Sequence, residues 1–86
     1  MKFDYFAIWF EDKQNMINTM IRNLQSDLDN GYNPVGDCIK RQWREIEEYR
    51  ARFERELDKV TGMEEKALQR WCRIDLIRRG AILPCD

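Results

Sequence analysis

The 86-residue chain contains no histidine. That absence removes the commonest general base near neutral pH and every histidine-assisted serine or cysteine nucleophile. Cysteine is sparse: Cys38, Cys72 and Cys85 are odd in number, widely spaced and without a C-x-x-C pair. They fit neither a disulfide framework nor zinc-ligand spacing, and they suit a reducing compartment. Four glycines and two prolines form no glycine-rich phosphate loop. No apolar run approaches the roughly 20 residues of a membrane-spanning helix. The run after Lys2 is short and meets Glu11-Asp12-Lys13 with no small-residue cleavage site, so it does not read as a signal peptide. Charge of one sign is also lacking, since 15 basic residues face 16 acidic ones. That balance argues against a globally basic nucleic-acid binder and, with a hydrophobic fraction of 43%, against disorder. The expectation is a single helical domain over residues 1–86, cytoplasmic, with no cofactor, metal or membrane. A chain without a recognisable site is also not expected to be an enzyme.

What the chain does have is a dense aromatic start. Phe3, Tyr5, Phe6, Trp9 and Phe10 are five of its ten aromatic residues, too much apolar surface to leave in water. Read as a strand, this segment is apolar on both faces and finds no second strand to pair with. Read as a helix, it groups Phe3, Phe6 and Phe10 on one face with Tyr5 and Trp9 beside it. A helical or irregular segment folded across the rest of the molecule is the reading adopted.

The remainder has helical periodicity between glycine-containing breaks. Ile17, Met20, Ile21, Leu24 and Leu28 form one stripe, closed by Gly31 as a C-cap. Either Asn33, with Pro34 as first helical residue, or Asp37 can cap the next helix. In that helix Ile39, Trp43, Ile46, Arg50, Phe53, Leu57 and Val60 step 4, 3, 4, 3, 4, 3, an a/d seam. Arg50 is its one polar member; its stem can lie along the core with its head in water, and Asp27 and Asp29 are candidate counter-ions. Thr61-Gly62-Met63-Glu64 matches a capping box for a third helix, which ends near Arg79 with Gly80 as C-cap. The fold class is therefore all-α, a small bundle of three main helices at about 12–30, 35–60 and 62–79, with the aromatic segment packed across it.

Two surfaces are candidates for function. The third helix is apolar on two sides: Met63, Ala67, Trp71, Ile74 and Ile77 form one stripe, while Leu68, Cys72 and Leu76 form a second roughly opposite. The aromatic segment or a partner must cover the second stripe, so Tyr5, Phe6, Trp9, Phe10, Leu68, Cys72 and Leu76 are the candidate protein-contact residues. On the second helix Arg41, Arg44, Glu48, Arg52, Arg55 and Lys59 share a face opposite the seam, a stripe of roughly 27 Å at 1.5 Å per residue. Arg41, Arg44, Arg52, Arg55 and Lys59 could follow a phosphate backbone or an acidic partner. The plainer reading is a solvated face laced with ion pairs such as Arg44 with Glu48 and Arg52 with Glu56.

The stretches Leu24-Gln25-Ser26-Asp27-Leu28-Asp29-Asn30-Gly31-Tyr32-Asn33-Pro34 and Arg70-Trp71-Cys72-Arg73-Ile74-Asp75-Leu76-Ile77-Arg78-Arg79-Gly80-Ala81-Ile82 resemble small uncharacterised proteins of bacterial phages and mobile elements, over about a third of the chain. The resemblance carries no mechanistic motif and no named family. It implies an inhibitor or adaptor that binds a larger protein, as inhibitors of CRISPR nucleases do. A non-enzymatic protein-binding module is the resulting expectation, with nucleic-acid binding through the basic stripe and a small homodimeric structural protein as alternatives.

Overall fold

The aromatic run is helical. The Asp4 carboxylate accepts the Ala7 backbone N–H at 3.1 Å as an N-cap, and the helix that starts there continues unbroken to Asp29. The computed structural model describes residues 4–84 as α1 (Tyr5–Asp29), α2 (Asp37–Thr61) and α3 (Glu65–Arg78), with no strand among them. The three-helix bundle is the one the periodicity predicts. Its aromatic segment, however, is not a separate piece laid across the bundle but the first turns of α1. Phe3 and Cys85 lie outside the described residues. No helix among the described residues is long and apolar enough to cross a membrane.

Both glycine stops operate as expected, one position beyond the cap. Gly31 and Gly80 have φ of 94° and 77°, the left-handed conformation that glycine adopts without a Cβ penalty. Around Gly31, the Tyr32 N–H donates to the Asp27 carbonyl and the Gly31 N–H to the Leu28 carbonyl; Ala81 to Leu76 and Gly80 to Ile77 repeat the pattern. These paired bonds satisfy the last carbonyls of α1 and α3 as Schellman motifs. The starts differ from expectation. Gly36 is the N-cap of α2, because the Asn33 side chain is occupied by the Val35 N–H. The capping box does not form either: Thr61 remains the last residue of α2 and its hydroxyl donates to the Leu57 and Asp58 carbonyls. Helix α3 then begins after Glu64.

α1 and α2 form an antiparallel hairpin of 25 residues each, roughly 37 Å long. Every seventh residue of α2, Ile39, Ile46, Phe53 and Val60, is at most 5% exposed. Full burial of side chains of this size contributes about 1.5–3 kcal/mol each. The intervening seam members behave differently. Trp43 is 48% exposed, Arg50 is exposed and Leu57 half-buried, whereas Gln42, Tyr49 and Glu56, one residue earlier in each case, are half-buried. The buried face of α2 is thus rotated away from Trp43 and Arg50, towards the side on which α3 docks.

α3 has 14 residues, roughly 21 Å, and covers only the half of the hairpin that holds α1's N-terminus. There Trp9, Ile17, Phe53, Val60, Leu68, Cys72 and Leu76 form the main core. At the other end Leu24, Ile39 and Ile46 pack as a two-helix cluster with Met20, Ile21 and Leu28 around them. The molecule is accordingly long, 48 × 25 × 18 Å.

Candidate functional site

The expected second stripe of α3 is its core stripe. Leu68 is 8% exposed and Cys72, Leu76 and Trp9 are fully buried, so these four close on one another and offer no surface to a partner. The first stripe lies further out: Ala67 is exposed, Trp71 and Ile77 are half-buried, and Ile74 is 47% exposed. Trp9 fixes this arrangement. Its ring meets Trp71 edge-on at 5.6 Å and Phe53 at 5.6 Å, aromatic geometries worth about 0.5–1.5 kcal/mol beyond burial. Its indole N–H donates to Asp75 Oδ2 at 2.9 Å. Tyr5, Phe6 and Phe10 pack half-buried around it. Burial also pushes the Cys72 thiol up to about 11, with Asp75 and Asp4 acting in the same direction; a thiol so protonated is a poor nucleophile.

One turn beyond Trp9 on the same face of α1 lies Lys13, a residue that periodicity alone passes over. It is 4% exposed. Its Nζ stands 3.2 Å from Glu56 Oε2 on α2 and 4.0 Å from Asp75 Oδ2 on α3, and 5.4 Å from the Tyr49 ring centre. The approach to Glu56 Oε2 is too oblique for a hydrogen bond, and that oxygen has no other partner; the interaction is an ion pair by distance. Arg79 completes the cluster, with Nε 3.2 Å from Asp75 Oδ2 and a terminal nitrogen 2.7 Å from Asp12 Oδ2. The spacing Trp9, Lys13, Ile17 was the available signal, since it sets a cation between two core residues on one helical face.

Gln69 ties the other end of α1 to α3. Its Oε1 accepts the Tyr5 and Phe6 backbone N–H groups at 2.7 and 3.3 Å, and its Nε2 donates to Asp4 and to Glu65. First-turn donors that no helix satisfies internally are thereby met from another helix. The Gln69 amide, followed by the Ala7 N–H, holds the Asp4 carboxyl below its ordinary value of 3.8.

The basic stripe is exposed as expected: Arg41, Arg44, Arg52, Arg55 and Lys59 all face solvent. The ion pairs expected to lace it are not formed. The ion pairs of Lys13 and Arg79 lie elsewhere, and Asp27, a candidate counter-ion of Arg50, accepts from Gln42 at 2.6 Å instead. Lys59 leans over the Trp71 ring at 5.8 Å.

The hairpin face opposite α3 holds an open cleft lined by Phe10, Ile17, Ile21, Phe53 and Leu57, with Gln14, Asn18, Arg50 and Glu54 beside them. No third helix among the described residues lines it. Tyr5, Phe6 and Phe10 were expected at the contact surface; of these, only Phe10 lines the cleft. Among the described residues no three Cys, Asp or Glu side chains converge as a metal-holding group. The chain matches no protein-family model, no curated protein and no solved structure.

Lys13→Met leaves Glu56 facing the core without its cation, and chemical denaturation should show a loss of about 3 kcal/mol, at the low end for buried pairs because Glu56 is partly open to water. The double variant Lys13→Met, Glu56→Leu should recover at least half of that loss; equal stability of Lys13→Met and wild type would remove the cluster from the forces holding the helices together. For Asp4 the folded-state value is depressed, so its contribution is present above 3.8 and is lost as pH falls through the folded-state value. The Ala7 amide resonance should titrate with a midpoint below 3.8, and Gln69→Ala should move that midpoint upward.

Proposed function

We propose that this chain is a non-catalytic protein-binding module whose docking surface is the cleft between α1 and α2. One observation carries the reading. Once the aromatic core is closed by α3, Phe10, Ile17, Ile21, Phe53 and Leu57 still line an opening to solvent, and Trp43, on the same line of α2, is 48% exposed. An apolar trough between two helices suits a third helix laid along it. The resemblance to proteins of phages and mobile elements supports a role as inhibitor or adaptor of a larger protein, with CRISPR nucleases among the targets. The free thiols Cys38 and Cys72 support a cytoplasmic setting.

A photo-crosslinking residue tests the surface directly. Placed at Gln14, inside the cleft, it should give protein adducts in cells; placed at Arg70, on α3, it should give few. Equal labelling from both positions, or none from Gln14, removes the cleft as the docking surface.

A second reading is favoured by the unpaired guanidinium groups of Arg41, Arg44, Arg52 and Arg55, which leave a ridge able to follow phosphates. Binding of duplex or single-stranded nucleic acid should then weaken steeply with salt and disappear when these four arginines are changed to glutamate. No binding at low salt excludes that role.

A further inference from the structure

Resting on the cleft as a docking surface, we infer that its occupant is a second copy of this chain, turned end for end so that two hairpins close into a four-helix core with an α3 on each outer side. The chain leaves more surface uncovered than a compact monomer of its mass. A folded monomer of 10.5 kDa exposes about 5,400 Å², whereas this chain exposes 6634 Å². Its radius of gyration is 16.0 Å against about 12 Å for a compact chain of 86 residues. A standard interface removes about 800 Å² from each partner, which would account for most of the excess.

The charge pattern around the cleft also suits a second copy. A two-fold interface sets a patch against its own reversed image, so that residue i meets j and j meets i. Arg50 and Glu54 lie one turn apart on α2, and both line the cleft. A two-fold axis in the plane of the cleft, perpendicular to the helices and crossing α2 between them, places Arg50 of each copy against Glu54 of the other. The same operation brings Gln14 of α1 towards Asn18 of the second copy, one amide towards another. The apolar residues between them then meet their own kind across the axis. The notch on the opposite face of the hairpin fails this test. It is lined by Asp27, Glu45, Gln42 and Asn23 with only Met20 and Ile46 as apolar members, and it holds two carboxylates and no cation to pair with them.

Sedimentation velocity over a concentration series tests the inference. The wild-type chain should sediment at twice its 10.5 kDa mass at tens of micromolar. Arg50→Glu and Glu54→Arg should each weaken self-association at least roughly tenfold, because like charges then face each other twice per dimer. The combined variant Arg50→Glu, Glu54→Arg should restore it, with unchanged helicity in all three showing that the fold is intact. A monomer at every concentration, or a combined variant as weak as the single ones, overturns the dimer. Crosslinks from Gln14 that capture a foreign protein while the chain itself is monomeric overturn the dimer too and leave the docking surface standing; absence of any adduct removes both.

Discussion

Lys13 keeps only 4% of its surface in water, and an ammonium so placed is tolerable only where carboxylates and ring faces replace its hydration. The replacements come from every helix: Trp9 from its own, Tyr49 and Glu56 from α2, Asp75 from α3. Glu56 is the nearer carboxylate and Asp75 brings α3 into the same cluster, so the burial of Lys13 draws on all three helices. Asp75 has a further part, because the same Oδ2 accepts the Trp9 indole N–H and faces Arg79. One carboxylate oxygen thus holds the largest core side chain and balances two cations. Apolar packing would allow α3 to slide or rotate along the hairpin; these directional contacts fix its register, the use of buried polar groups best established elsewhere.

With that register set, the rest of the architecture follows from lengths. α3 begins close to the end of α2, runs parallel to α1 through Gln69 with Tyr5 and Asp75 with Trp9, and stops at Gly80. Fourteen residues cannot cover a hairpin of twenty-five. The distal half is left as a pair of helices with Leu24, Ile39 and Ile46 between them, and the far face of the proximal half is left as the cleft. Both consequences arise from a short third helix bound to one side by polar groups that exist only there.

Much of this was legible in the sequence. Heptad spacing of Ile39, Ile46, Phe53 and Val60 predicts the α2 core, the i, i+3 and i+4 steps of Ile17 to Leu28 predict that of α1, and Gly31 and Gly80 mark where chains of hydrogen bonds end. The misreadings share a cause: local pattern cannot say which neighbour is present. Arg50 counted as a seam member because hydropathy has period 3.5 through it, yet α3 docks on the other flank and the real second line runs through Gln42, Tyr49 and Glu56. Of the two coverings open to Leu68, Cys72 and Leu76, the aromatic segment or a partner, the structure has the first, with Trp9 packed on them; pattern within α3 cannot decide between the two. Thr61 matched a capping box by spacing, but its hydroxyl reaches back to Leu57, the competing bond open to threonine at a helix end. Lys13 was hidden by its class, since lysine is almost never fully buried unless paired, and its partners are 43 and 62 positions away.

The two cations set into apolar stripes, Lys13 and Arg50, also explain why α3 chooses one face. Its carboxylates are Glu65 and Asp75, and Glu65 is taken up by Gln69 at the bottom of the bundle. Asp75 stands in the last turn of α3, and docking on the Lys13 face commits it to Lys13, Trp9 and Arg79 together. Docking on the opposite face would bring a helix carrying Arg70, Arg73 and Arg78 towards Arg50, and would leave Lys13 with Glu56 alone as counter-ion. The face that α3 rejects therefore keeps an apolar floor, a cation and an anion one turn apart. Within one copy Arg50 and Glu54 lie on the same helix and cannot close the cleft between them. Across a two-fold axis the same pair can, because reversal turns a spacing along one helix into a contact between two.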